Sequence, residues 1–142
     1  MSDANRAVVE RYAQRFWIDH DTSVVDQTHA PDHVYVDPAL PNLPPGPEGA
    51  RERGSVYLTA VPDGRVEVLG WMVDGEMVLC RWRFFGTNTG NLLGVAPTGR
   101  AVSVEGAHVC RVRDGLIVET RVFWDTLALF VQLGLVPELA TA

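Results

Sequence analysis

This sequence has no run of basic residues. Its 12 basic residues, all arginines, are scattered among 18 aspartates and glutamates, for a formal charge of −6. Such sparse cations leave no electrostatic footprint for nucleic acid or for an anionic membrane surface, so neither is expected as a partner. Only two cysteines occur, Cys80 and Cys110. They fit no metal-ligand spacing and read as small, reduced core residues. HExxH is missing and no cysteine cluster occurs, which argues against a bound metal. GxSxG is missing too, so no serine nucleophile is credible. Gly86 and Gly90 stand in a strand-rich stretch rather than in the strand–turn–helix setting of a phosphate loop, and no cofactor is expected. Long apolar runs are also lacking: Leu127 to Val136 is interrupted by Gln132 and is too short to span a bilayer. Asp3, Arg6, Glu10, Arg11, Arg15 and Asp19 interrupt the first twenty residues, which excludes the apolar centre of a secretory signal. A cytoplasmic protein of one domain, 1–142, is the expectation.

What is present is a change of period along the chain. Residues 4–17 place Val8, Val9, Tyr12, Ala13, Phe16 and Trp17 at helical spacing, and a second short helix is expected near 23–28. HVYVDP, residues 33–38, alternates as a short strand ending at Pro38. Five prolines follow in PALPNLPPGP, a stiff surface loop, before Gly46-Pro47-Glu48 opens a third helix running to about Ala60. From Arg65 the period is two. Asp74-Gly75 and Asp114-Gly115 mark tight turns in a meander of four long strands, and a last helix follows Asp125. Helices first and a strand meander after define an α+β domain with helices packed on one face of a curved sheet.

Three groups of residues invite a chemical reading. His108 lies on an apolar strand face with Val104, Gly106 and Cys110; the plain reading is a core histidine, and Gly106 beside it leaves room for a ligand. Asp125 stands where the last strand meets the last helix, suited equally to capping that helix and to general acid/base work. Arg121, on the face shared by Glu119 and Asp125, is either a surface cation or the partner of a buried carboxylate. His33, Tyr35 and Asp37 share one face of the early strand. Phe16, Trp17 and Trp82 are aromatic core residues that would line a pocket if one exists.

The stretches GTNTGNLLGVAPTGR, VEGAHVCRV and RDGLIVETRVFWDTLALFVQLG, with HAPDHVYVDP and the Gly-Pro at 46–47 before them, resemble the SnoaL-like polyketide cyclases of the NTF2-like superfamily. The resemblance runs nearly end to end. It implies a cone-shaped α+β fold, with a curved antiparallel sheet, N-terminal helices on its concave face and a short C-terminal helix. It implies a cofactor-independent enzyme that closes a ring by intramolecular aldol reaction on a hydrophobic, polycyclic polyketide, and a homodimer or homotetramer. Carried onto this chain, the family's acid/base is Asp125, with His108 beside it and Arg121 matching a residue of family members. His33, Tyr35, Phe16, Trp17 and Trp82 are the expected substrate contacts. Asn88 replaces a histidine frequent in the family; an amide there hydrogen-bonds a carbonyl but moves no proton. The same fold also supports epoxide opening, hydroxylation or non-catalytic ligand binding.

Overall fold

The structure, a computed structural model, describes residues 2–137. Helix α1 (Ser2–Tyr12) runs into a π-helical turn at Ala13–Ile18. A 3-10 turn (Thr22–Val24) and α2 (Val25–Thr28) lead to β1 (His29–Val36). Helix α3 (Pro47–Ala60) precedes the meander β2 (Arg65–Asp74), β3 (Met77–Thr87), β4 (Ala101–Arg113) and β5 (Leu116–Trp124), and α4 (Thr126–Gln132) closes the described chain. The strands form one sheet in the order β1-β5-β4-β3-β2. β1 is parallel to β5 and every other pair is antiparallel. The α+β arrangement and the helix order follow the sequence expectation.

Two local differences have physical causes. The first helix does not stay regular to Trp17: its last part widens to a π turn, which turns Ala13, Phe16 and Trp17 together into the interior. The early strand begins at His29 rather than His33 and tolerates Pro31 because β1 is an edge strand. The turn between β4 and β5 is as expected. Asp114 and Gly115 have φ of 51° and 77°, both left-handed, as a two-residue primed turn requires.

The burial pattern of β5 is set by a bulge. Arg111 pairs with Glu119 and Val112 with Ile117, so Val118 is an extra residue without a partner on β4. The inward face therefore switches parity along the strand. Ile117 is buried before the bulge, and Thr120 and Val122 are buried after it. Glu119, Arg121 and Phe123 consequently leave the core, Phe123 with 61% of its surface exposed.

Helices α1 and α3 and the π turn pack over the sheet. Their close approach depends on Gly54, where a Cβ would lie 2.2 Å from the Phe16 ring. At the other end Gln132 fixes α4 to the sheet. Its side-chain amide accepts from the Ser103 N–H at 2.7 Å and donates to the Ser103 carbonyl at 2.9 Å.

Candidate functional site

Between the helices and the sheet lies a cavity walled by Tyr12, Trp17, Tyr57, Trp82, Phe84 and Trp124, with Leu129 and Leu133 of α4 at one side. Three polar or charged side chains join these walls: His108, Asn88 and Arg53. Among the described residues the wall holds no carboxylate.

His108 sits on β4 directly opposite Val122 of β5 and Cys80 of β3. Both of its ring nitrogens are engaged. The Trp82 indole N–H donates to Nδ1 at 2.6 Å, and the Tyr35 hydroxyl lies 2.7 Å from Nε2. An indole only donates, so Nδ1 carries no proton and the neutral ring holds its proton on Nε2, facing Tyr35. Burial drives the His108 pKa well below the ordinary 6.5, and the Arg53 cation and His29 push it the same way. Tyr12, on α1, stands beside this group; its hydroxyl accepts from the Trp17 indole at 3.2 Å, and burial lifts its pKa to about 12.

Arg53 is 3% exposed and its Nε donates at 2.8 Å to Asp37 Oδ2, itself fully buried. The other Asp37 oxygen accepts from the Ala39 N–H. The guanidinium carbon lies 5.0 Å from the ring centre of Tyr57, 5.3 Å from that of Tyr35 and 5.8 Å from that of Trp17, an aromatic cage for a cation. Burial works against the charge, yet Tyr35, Asp37 and Tyr57 together hold the pKa above the ordinary guanidinium range. Sequence reasoning passed over Arg53 because Arg51 and Glu52 beside it look like a solvated face. The signal was its spacing: Ala50, Arg53, Tyr57 and Ala60 form the buried stripe of α3.

Of the residues expected at the site, His108, Asn88, Trp17 and Trp82 line the cavity. Asn88 does so with its amide already used. It donates to the carbonyls of Ala60 and Gly90 and accepts from the Thr98 N–H and hydroxyl, so it staples the 88–100 loop rather than offering groups to a ligand. Tyr35 is buried behind the wall as the partner of His108. His33 is fully buried with Nε2 on the Thr120 hydroxyl, and Phe16 is core beneath α3. The room expected beside Gly106 is taken, since a Cβ there would meet Trp124 at 2.5 Å and Trp82 at 2.8 Å.

Two expectations are corrected. Arg121 is not at the cavity: the bulge turns it to solvent, where it pairs with Glu119 at 3.3 Å. Asp125 is not in the cavity wall either. It is exposed, and its Oδ1 accepts from the Ala128 N–H at 2.9 Å as the N-cap of α4. Arg121 and Asp125 therefore bring no Arg–Asp pair to the cavity of the kind epoxide opening would use. Asp125→Ala should lower stability by about 1 kcal/mol, read as a shift of the denaturation midpoint.

A curved sheet closed by helices around an apolar pocket with a buried histidine defines a small-molecule site of the cone-shaped α+β class. The chain belongs to the SnoaL-like polyketide cyclase family, whose model matches residues 7–133. Aklanonic acid methyl ester cyclase DauD of Streptomyces sp. (strain C5) is 35% identical over 72 residues, 51% of this chain and 45% of that protein. DnrD of Streptomyces peucetius, an aklanonic acid methyl ester cyclase as well, is 33% identical over 72 residues, or 50% of its length. The match thus spans about half of these cyclases. Among solved structures, a protein of Jannaschia sp. CCS1 provisionally described as a SnoaL-like polyketide cyclase superposes with a TM-score of 0.83 at 26% identity, covering 96% of this chain and 95% of that one. AclR of Streptomyces galilaeus, provisionally described as a hydroxylase, superposes at 0.81 with 25% identity, covering 99% and 91%.

Proposed function

We propose that the protein is a cofactor-independent polyketide cyclase that closes a ring by intramolecular aldol reaction inside this cavity, with His108 as its acid/base. The observation that carries the reading is a neutral histidine in an aromatic-lined pocket, with one nitrogen lone pair held only by an indole N–H. A C–H flanked by two carbonyls gives its proton to Nδ1 as the Trp82 N–H turns to the forming enolate oxygen. The enolate carbon attacks a second carbonyl of the same chain, and the imidazolium returns the proton to the new alkoxide. No atom is gained or lost. Burial and Arg53 keep the imidazolium from accumulating, so the proton is held only between the two steps. The aromatic walls fold the chain so that the reacting carbons meet. The substrate class is the ester-bearing polyketide that the relatives' names carry.

Aklanonic acid methyl ester is the substrate with which to test this, following ring closure and solvent deuterium exchange at the acidic carbon. His108→Gln should reduce both by at least about a hundredfold, while Asp125→Asn leaves both near the wild-type rate. Full turnover by His108→Gln sinks the assignment. Loss on Asp125→Asn alone would return the role to that carboxylate.

A further inference from the structure

The cavity holds one charge, and that charge is only partly used. Asp37 takes the Arg53 Nε from the side of β1, while among the described residues neither terminal guanidinium nitrogen has a hydrogen-bond partner. Yet Arg53 lines the cavity. A second donor in the same wall is equally idle. Trp124 Nε1 is buried with no hydrogen-bond partner among the described residues. The Tyr57 ring touches both, lying 5.0 Å from the Arg53 guanidinium carbon and 5.2 Å from the Trp124 ring.

Buried donors are ordinarily satisfied, and leaving them unpaired is costly. Here two residues that pack on one tyrosine carry N–H groups without an acceptor and line a space whose wall, among the described residues, bears no carboxylate. A neutral ketone would satisfy one hydrogen bond. An anionic oxygen would satisfy it with the stronger, charge-assisted kind and meet the Arg53 cation in the wall. We propose that Arg53 and Trp124 form an oxyanion subsite that binds the ionised, enolate form of the substrate, with Asp37 behind Arg53 as its positioning residue.

This rests on the reading of the cavity as the substrate site and gives it a missing part. His108 is a weak base in these surroundings, so proton removal needs a more acidic carbon acid. A site that binds the enolate tenfold better than the neutral diketone lowers the bound substrate's pKa by one unit. The subsite thus supplies acidity where the histidine lacks basicity.

Two small probes separate charge from shape: 2-hydroxy-1,4-naphthoquinone, a vinylogous acid ionised at neutral pH, and its 2-methoxy counterpart, which stays neutral. Titration calorimetry at pH 7.5 should show the ionised probe binding the wild type at least about tenfold more tightly. The double variant Arg53→Met/Asp37→Asn removes both charges together and should bind the two probes within about twofold of each other. Trp124→Phe should weaken the ionised probe by about threefold or more and leave the methoxy probe unchanged. Equal affinity of the two probes for the wild type overturns the subsite while leaving the cavity as a ligand site. A preference that survives in the double variant overturns the role of Arg53, and a preference undiminished in Trp124→Phe overturns that of Trp124. Should the double variant fail to fold, the wild-type comparison and Trp124→Phe still decide. If neither probe binds, the reading of the cavity itself fails and the subsite fails with it.

Discussion

Arg53→Met should destabilise the protein by about 3–5 kcal/mol, and adding Asp37→Asn should recover most of that loss. Methionine fills much of the space of the arginine stem, so the cost is not chiefly a cavity. It arises because Asp37 is fully buried and its Oδ2 loses the Arg53 guanidinium. An uncompensated carboxylate in that position must either remain charged in a low-dielectric interior or take up a proton, and both states are expensive. Asparagine removes the charge and keeps an oxygen for the Ala39 N–H. Urea denaturation of the wild type, both single variants and the double variant forms a cycle in which the coupling is read directly. If the double variant is as unstable as Arg53→Met, the stabilisation comes instead from packing of the guanidinium on Tyr35, Tyr57 and Trp17.

The second large effect is acid sensitivity. His29, His33 and His108 are all buried and all held neutral. Burial lowers His29 from 6.5 to about 3, with His33 adding to the shift, and lowers His33 to about 4 although Glu119 and Asp32 pull the other way. His108 lies well below 6.5 for the reasons already given. Each folded-state pKa is below its unfolded value, so between the two values the unfolded chain binds the proton and the native chain does not. Stability is therefore complete above pH 6.5 and falls as the pH drops through the window from about 6.5 toward 4. Three such groups give a slope of about 4 kcal/mol per pH unit within that window, against a total stability of about 5–15 kcal/mol for an ordinary domain. Cooperative unfolding near pH 5 is the expected result. Substituting His29 by Gln, a neutral side chain of similar reach, should flatten the slope by about one third. A stability profile level from pH 7 to pH 4.5 would contradict the buried, neutral histidines.

Much of the fold was legible because the sequence keeps its periods clean. The stripe of α1, the proline and acid that open α3, and the Asp114-Gly115 turn each state one structure. The fifth strand was not legible in the same way. A period of two cannot reveal an unpaired Val118, and the bulge there decides that Thr120 and Val122 face inward while Arg121 and Phe123 face out. Its effect reached the site. Without the bulge, Glu119, Arg121 and Asp125 remained candidates for a polar cavity floor, and with it they stand at the surface. The alternation along β4 places His108 on an apolar face beside small residues, and the structure has it there. Its partners were not foreseeable, because Tyr35 and Trp82 come from β1 and β3, far apart in sequence. The pairing of Asp37 with Arg53 joins a strand end to a helix stripe across the proline-rich loop, and only the packed chain brings them together.

Gln132 does more than hold one wall of the cavity. β5 stops at Trp124, opposite Gly106, so the first residues of β4 run on without a strand on that side. Backbone groups left open in this way form an edge on which an extended segment of another chain can pair. The Gln132 amide, bonded to both the N–H and the carbonyl of Ser103, mimics one peptide unit of the missing strand. A single side chain thus occupies the backbone groups of one residue on an edge that would otherwise be open to strand pairing.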